Sequence, residues 1–546
     1  MESRATATCQ GSFMGRFLKS NVRWQVSYLT HPRLLSTAGL LFNVLLSCAT
    51  DTNTQTIDNN RQATEVGSLG GNSIVSSSKE APATQTGFGG TTNKRSETGT
   101  GGTTITTTKA AYFDGLSRLN GLPVTRCIVT ITKAELSPQI ATVGVVSFST
   151  NLARVVSAEI HFGKNSDYNL VAPVDLKEDS YRTLLLGMIQ NHVYHFRVAV
   201  SDGTSVCYGE DQTLETGTLN SKALAEASTS DGAAPGFIVT ARDGEAVIYD
   251  KKGELVWSYK IWNVFSVQMS WDGKYLLARD PGPFDLSNGG LFYRVKMDGS
   301  DFMSLDATGG DHHDFTAIPT GIAYLAKMNE GECDRVYEAS IDVIDGVPRF
   351  DTWQIYQYFP DQGFVEGTEI CHANRIHYSF EKDWYTVSDR NKDALAVFTR
   401  TGSPITSIGT TPKGEWVQHI QAESAGLGGS WHVQHGHHVY ADNKFVVFSN
   451  DAEGGASVLH YTITGNRATL DWKYSGAGDS KIQGDVQHLP NGNFLVTANL
   501  SNTMIEIGPD GRTEVGRYVL NGPIGPLYGF TYASHRPTLY GAPAPR

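Results

Sequence analysis

Four histidines fall within nine positions in the stretch HVQHGHHVY, residues 432–440, in a chain of 546 residues that has sixteen histidines in all. A neutral imidazole can act as a nucleophile, as a general acid or base, or as a metal ligand. On an extended strand successive side chains point to opposite faces, so His435 and His437 cannot share a direction with His438. We therefore expect one of these histidines to be chemically active and its neighbours to be structural.

Turns recur at similar intervals from about residue 235 onward. A turn glycine followed by an apolar strand recurs at separations of 46–63 residues. The glycines of these turns are Gly253, Gly299, Gly346, Gly402, Gly465 and Gly511. Six units of this kind predict an all-β fold, a six-bladed β-propeller over 235–546. The first unit lacks an inner strand, and we expect the C-terminal segment YGFTYASHRPTLYG to supply it.

An earlier turn in each later unit should follow the innermost strand of its blade. His313 and His435 each precede this turn by eight residues. His372 and His488 are each expected at the start of an innermost strand. Because the innermost strands of a propeller surround one channel, this common register predicts that the four histidines approach one another.

The series DHHDF, HANRIHYSFEKDWYTVSDR and QHGHHVYADNKFVVFSND resembles the bacterial arylsulfate sulfotransferase family. The resemblance covers about 235–546, and its strongest part runs from the His-x-Asn pair to Ser-Asp-Arg. Members of that family are periplasmic six-bladed propellers that move a sulfuryl group from a phenolic sulfate ester to another phenol, without a nucleotide donor. The resemblance implies the same activity here, with small aryl sulfates and phenols as substrates and no cofactor.

Individual roles follow from the same resemblance. His435 matches the nucleophile that becomes a transient sulfohistidine. The other matching positions are the catalytic His313 or its neighbour His312, His372 and Arg390, and the substrate-binding Asn374 and Thr497. Sulfuryl transfer has a loose transition state with charge on the peripheral oxygens, which Arg390 and the Asn374 amide are expected to stabilise. His313 or His372 would protonate the departing phenolate.

Two other interpretations compete with this enzyme. Histidines near Asp311, Asp314 and Asp485 could form a zinc or copper site, but the strand alternation described above disfavours one, and no metal is predicted. A surface-anchored binding or adhesion propeller is the second alternative, because the closely spaced cysteine pair found near the nucleophile in some family members is missing here. The complete set of catalytic side chains favours the enzyme.

The N-terminal 124 residues predict export. Residues 1–48 resemble a lipoprotein-type signal peptide, in which basic residues precede the apolar run LLSTAGLLFNVLLSC and Cys48 stands at the lipidated position. Residues 49–124 have few large apolar side chains and predict a flexible tether. We therefore expect a lipoprotein that is anchored to a membrane and faces the periplasm or the cell surface.

Residues 125–219 predict a β-sandwich, from short alternating runs at regular spacing. The segment LLLGMIQNHVYHFRVAV resembles the tyrosine corner of fibronectin type III domains, with Tyr194 as its tyrosine. Four body cysteines allow two disulfides, most simply Cys127–Cys207 and Cys333–Cys371, or four free thiols. The net charge of −12, without a basic cluster in the body, argues against a nucleic-acid partner. A homodimer formed through the sandwich is a further possibility.

Overall fold

The computed structural model describes residues 113–543 apart from internal gaps. The gaps are 243, 262, 281–289, 307–310, 327–333, 342–349, 355–371, 410–417, 424–432, 451–454, 479, 481 and 521–531, and the backbone alone is described at 305, 306, 311, 312 and 350–354. Cys48, Cys333 and Cys371 therefore lie outside the described residues, as does the predicted leader. Within the described part, no helix has the length and apolar character needed to cross a membrane.

Two antiparallel sheets form the N-terminal part of the described chain. Their strands are β1 Val129–Leu136, β2 Gly144–Thr150, β3 Ser157–Gly163, β4 Leu170–Pro173, β5 Thr183–Leu185, β6 Val193–Ser201, β7 Val206–Tyr208 and β8 Gln212–Glu215. One sheet has the order β1-β2-β5 and the other β4-β3-β6-β7, with β8 also paired to β6. Buried Phe148 of the first sheet and Phe162 and Phe196 of the second belong to one core. The Cys127–Cys207 disulfide is formed, as predicted.

The rest of the chain folds into successive antiparallel sheets of four strands. The first contains β10 Phe237–Arg242, β11 Glu245–Asp250, β12 Leu255–Lys260 and β34 Ala533–Arg536; the second contains β13 Ser266–Met269, β14 Tyr275–Asp280, β15 Leu291–Lys296 and β16 Phe302–Asp306; the third contains β17 Asp311–Ile318, β18 Gly321–Ala326, β19 Arg335–Ala339 and β20 Phe350–Gln354. This succession of hairpin-connected sheets is the organisation of a β-propeller.

Three further sheets follow in the same pattern. The fourth contains β21 Ala373–Ser379, β22 Trp384–Asp389, β23 Ala394–Thr399 and β24 Pro404–Gly409; the fifth contains β26 His437–Ala441, β27 Lys444–Ser449, β28 Ser457–Thr464 and β29 Arg467–Tyr474; the sixth contains β30 Asp485–His488, β31 Phe494–Ala498, β32 Thr503–Ile507 and β33 Glu514–Leu520. Strand β25, His419–Ala422, pairs in parallel with β24 and β29 and joins the fourth and fifth sheets.

The first strands of neighbouring sheets contact one another. Strand β17 contacts β13 and β21, β26 contacts β21 and β30, and β30 contacts β34. Strand β34 pairs with β10, so the C-terminal segment supplies the missing inner strand as predicted. The turn positions are confirmed by glycines with positive φ, a conformation that side chains with a Cβ rarely adopt. They are Gly253, Gly299, Gly402, Gly465 and Gly511, whereas the sixth predicted turn glycine, Gly346, lies outside the described residues.

The folded body extends beyond the predicted boundaries at two places. Phe113 packs edge-on against Tyr540, and Leu119 is buried, so ordered structure begins inside the segment predicted as a tether. Strand β9, Ala225–Thr229, pairs with β33 and so belongs to the sixth sheet, ahead of the predicted start at 235. In both cases a short, sparsely apolar segment is stabilised by a partner that is remote in sequence.

Candidate active site

A β-bulge in the third sheet turns His313 out of the regular strand alternation. The register between β17 and β18 shifts between Asp311 and Phe315, and His313 has a φ of 56°. Such a bulge re-aims a side chain, and Arg279 Nη1 holds this backbone by donating to the His313 carbonyl at 3.0 Å. The described imidazole is that of His313, whereas the His312 side chain lies outside the described residues.

His372 lies directly before β21 and is held at both backbone atoms. Its N–H donates to Asp389 Oδ1 at 3.1 Å, and its carbonyl accepts from the Arg390 N–H at 2.8 Å. The Arg390 side chain then reaches back, with Nη2 at 3.2 Å from His372 Nδ1. One short turn, Arg390–Lys392, therefore positions two of the predicted catalytic side chains together.

The proton positions in the His313–His372 pair follow from these contacts. A guanidinium can only donate, so His372 Nδ1 accepts from Arg390 and its ring proton lies on Nε2. His372 Nε2 is 3.2 Å from His313 Nε2, and one of these atoms must donate to the other. His372 Nε2–H is therefore the donor of this hydrogen bond, and His313 Nε2 accepts it with its lone pair.

His435 joins this pair from the fifth sheet. Its ring centre lies 6.0 Å from that of His313. Its backbone N–H donates to the Phe448 carbonyl across the hairpin. The neighbouring Gly436 is needed because a Cβ there would lie 2.4 Å from the Cα of Asp485. Close contact with β30 thus fixes the His435 backbone.

The imidazole of His435 is oriented by Asn450. Nδ1 lies 2.7 Å from Asn450 Oδ1 and 3.2 Å from the Val433 carbonyl oxygen. Both are acceptors, so Nδ1 carries the proton and Nε2 carries the lone pair. Among the described contacts, Nε2 has no hydrogen-bond partner. Desolvation by burial lowers the pKa of His435 to about 4, so the ring is neutral near pH 7.

This low pKa predicts how the rate of any reaction with His435 as the nucleophile falls at acid pH. Protonation of the ring removes the lone pair, so the rate should be constant above about pH 5 and fall with a midpoint near pH 4. Rates measured against pH, with near-ultraviolet circular dichroism recorded at each pH to monitor the fold, test this. A midpoint near the ordinary histidine value of about 6.5 would contradict a desolvated nucleophile.

Asn374 holds the segment that carries His435. Its Nδ2 donates to the Gln434 carbonyl at 2.7 Å, so one of its two N–H groups binds the backbone next to His435. Its buried Oδ1 has no partner among the described residues, and an oxygen cannot donate to a sulfuryl oxygen. The predicted stabilisation of developing negative charge therefore rests on the second N–H of the amide.

Two other predicted residues, Thr497 and His488, belong to the sixth sheet. Thr497 is opposite Asp485 in the sixth sheet, and its buried hydroxyl has no hydrogen-bond partner among the described residues. The prediction that His488 begins an inner strand is wrong, because His488 ends β30. It stacks on Tyr440 with ring centres 3.9 Å apart, since a four-residue strand places this position at the opposite end from Asp485.

His437 and His438 of the opening stretch are structural, and His432 lies outside the described residues. His437 Nε2 lies 2.8 Å from the Thr386 hydroxyl, and the His438 ring stacks on His377. In the part of the chain that the structure describes, no group of three His, Cys, Asp or Glu side chains is arranged to hold a metal ion. Asp314 and Asp485, which the metal interpretation would have used, both bind Arg375.

A buried ion triad lies beside the histidines, with Asp314 next to His313 in the chain. Arg375 donates to Asp314 at 3.0 Å and to Asp485 at 2.8 Å, and its guanidinium lies 4.5 Å from the ring centre of Tyr532. Burial raises the pKa of the Asp314 carboxyl, and Arg375 opposes this rise. Burial alone would lower the pKa of Arg375, but the two carboxylates raise it. The triad links first strands of the third, fourth and sixth sheets.

Asp389 supports the turn that carries Arg390. Its Oδ1 accepts from the backbone N–H groups of His372, Asn391 and Lys392 at 3.0–3.2 Å. Burial, together with the nearby Asp334 carboxylate, raises the pKa of Asp389 to about 7. The carboxyl is therefore partly protonated at neutral pH.

Asp389→Asn should flatten the dependence of stability on pH. A carboxyl whose folded pKa is raised contributes stability that is full below its unfolded pKa of about 3.8 and is lost as the pH rises towards about 7. Asparagine keeps the Oδ1 acceptor and cannot ionise. Thermal unfolding at about pH 5 and about pH 8 should show a smaller fall in Tm for the variant than for the natural protein. An equal fall in both would contradict the raised pKa.

Sequence reasoning missed Asn450, although hairpin arithmetic could have found it. His435 lies eight residues before Asn443 and Asn450 seven residues after it. The pairing of His437 with Val447, extended by two residues, places Ser449 opposite His435, so Asn450 lies one residue beyond that position. The segment FVVFSND thus carried a usable signal.

Comparison with known proteins identifies no family. No protein-family model matches the chain, and no curated protein matches it. Solved structures that resemble it include a periplasmic gluconolactonase from Pseudomonas aeruginosa (12% identity, 64% of this chain and 95% of that one, TM-score 0.31). A second is a catalytically inactive virginiamycin B lyase from Staphylococcus aureus (11% identity, 54% of this chain and 99% of that one, TM-score 0.32). A third is a protein of unknown function from Bacteroides caccae (12% identity, 55% of this chain and 99% of that one, TM-score 0.34).

Proposed function

We propose that the protein is an arylsulfate sulfotransferase that works through a sulfohistidine on His435. The observation that carries the proposal is the state of this ring: it is buried and neutral, with Nδ1 held by two acceptors and the Nε2 lone pair without a described partner. A neutral imidazole fixed in this tautomer is prepared for nucleophilic attack. Arg390 and two further histidines surround it, as the chemistry requires.

Arg390 and the histidine pair divide the remaining tasks. Arg390 is the fixed cation for the sulfuryl oxygens, whose negative charge persists through a loose transition state. His313 is the proton carrier: its Nε2 accepts the proton of an incoming phenol in place of the hydrogen bond from His372 Nε2–H. His372 keeps His313 and Arg390 in register by contacting both.

The finer architecture belongs to the same proposal. The six four-stranded sheets are the blades of one closed propeller, supported by the contacts among their first strands. The sandwich is fibronectin type III-like, supported by the Ile189 N–H, which donates to the Tyr194 hydroxyl at 3.0 Å as in a tyrosine corner. Export as a lipoprotein through Cys48 is supported by the Cys127–Cys207 disulfide, since such bonds persist in oxidising compartments.

Acceptor-dependent release of 4-nitrophenol from 4-nitrophenyl sulfate tests the proposed activity. The purified full chain should release the phenol steadily only when a second phenol is present, and that phenol should be recovered as its sulfate ester. Release with water as the acceptor would indicate a sulfatase. Saturable binding of aryl sulfate without any release would support the binding propeller instead.

A further inference from the structure

We infer that Asn450 is a positioning residue that keeps the Nδ1 proton on His435 through both half-reactions, so that the sulfohistidine stays cationic and reactive. This inference rests on the proposed function and adds a residue to it. Asn450 does not contact the substrate's reacting atoms. It acts through the imidazole, by deciding which nitrogen attacks and how good a leaving group the ring becomes.

The direction of the Asn450 amide is determined by its surroundings. Its Nδ2 donates to the Ser480 carbonyl at 2.8 Å and to the Gln483 carbonyl at 2.6 Å. Two carbonyls thus accept the two amide N–H groups, and Oδ1 must face His435. The side chain is 5% exposed, so water cannot easily replace these partners. The amide is a fixed acceptor for Nδ1–H.

The first half-reaction leaves a positive charge on the ring. Nε2 forms a bond to sulfur, the S–O bond of the ester breaks, and its electron pair leaves with the phenolate. The sulfated ring still carries hydrogen at Nδ1 and is an imidazolium. A carboxylate at position 450 would accept this acidified proton, but an amide oxygen and the Val433 carbonyl oxygen are far too weakly basic to do so.

The second half-reaction benefits from that retained proton. The acceptor phenol gives its proton to His313 Nε2, which exchanges the His372 hydrogen bond for it, and the phenol oxygen attacks sulfur. The S–Nε2 bond breaks, and its electron pair returns to Nε2, releasing neutral imidazole. If Nδ1 had lost its proton, the leaving group would be an imidazolate anion, which is far more basic and leaves far more slowly. Asparagine at this position therefore favours turnover over accumulation of the intermediate.

The isosteric change Asn450→Asp tests whether retention of the Nδ1 proton speeds the discharge of the sulfated enzyme. The variant, loaded with 4-nitrophenyl sulfate at about pH 9, where an Asp-paired imidazole is neutral, should form the sulfated enzyme. Added phenol should discharge it about tenfold or more slowly than it discharges the natural protein. Discharge at the natural rate would overturn the inference. Asn502→Asp is the matched control, because Asn502 is buried and its Oδ1 accepts from Arg242, which can pair with the new charge.

Nuclear magnetic resonance of the natural protein tests which ring nitrogen of His435 carries the proton. Two-bond couplings between ring hydrogens and ¹⁵N in protein labelled with ¹⁵N-histidine should show the Nδ1–H tautomer near pH 7. His435→Gln serves only to assign the signal. The Nε2–H tautomer would overturn the inference even if the enzyme is active. If the natural protein forms no sulfated intermediate, the proposed function fails, while the tautomer is still decided by this measurement.

Discussion

Replacing His435 by alanine is expected to lower the sulfuryl-transfer rate by about 10⁴-fold or more. The imidazole supplies the bond-forming electron pair in the proposed mechanism, and the other side chains of the cluster only assist it. His313 and His372 are tied to each other and to Arg390, so neither can replace the lost nucleophile from its present position. The measurement is acceptor-dependent release of 4-nitrophenol by equal amounts of folded protein.

His488→Ala is the control for this loss. The sequence aligned His488 with the catalytic histidines, but the structure places it at the far end of β30, stacked on Tyr440. Its removal should leave the rate within about threefold of the natural value, since it contacts no group of the proposed site. Equal losses in the two variants would mean that the channel histidines act through stability, and residual activity near the natural level in His435→Ala would contradict the assigned nucleophile.

Arg375→Ala should be the most destabilising single change in the propeller, costing about 3–5 kcal/mol of the free energy of unfolding. It removes the cation that binds both Asp314 and Asp485, which are almost completely buried. The two carboxyls would then lose the guanidinium that joins them in the low-dielectric interior. Thermal unfolding should show a fall in Tm of about 10 °C.

A compensated variant separates lost charge balance from lost packing. Asp314→Asn and Asp485→Asn, added to Arg375→Met, remove all three charges and keep most of the volume. This triple variant should recover most of the lost Tm, because replacing a whole buried ion group is often neutral. Recovery of none of it would mean that the contact of Arg375 with Tyr532 or side-chain volume dominates. An unchanged Tm in Arg375→Ala alone would contradict the account of the triad.

The succession of sheets and the meeting of three histidines were predictable from the positions of turns and from the spacing of the histidines. Positive-φ glycines close turns between paired strands of these sheets, so Gly253 and Gly511 mark sheets in the sequence as they do in the structure. The same regularity placed His313, His372 and His435 together, because residues at similar distances before equivalent turns occupy equivalent places in their sheets. The pairing of β34 with β10 followed from the first unit's missing inner strand.

Local departures from regular strands were not predictable in the same way. The bulge at His313 has no strong residue signature, and it sets the direction in which the His313 side chain meets His372. The use of the Asn374 amide on the Gln434 carbonyl depends on packing between two sheets that are far apart in sequence. His488 was misplaced because β30 has only four residues, which the turn spacing alone does not specify.

In the proposed mechanism His435 carries the sulfuryl group between two phenols, and intact mass measurement of the purified full chain detects this intermediate. After brief exposure to 4-nitrophenyl sulfate without an acceptor, we expect one added sulfuryl group per chain, located on the peptide that contains His435. The group should be discharged by phenol and should not form on His435→Ala. No added mass, or a stable group attached to a different residue, would contradict the role of His435 as the nucleophile.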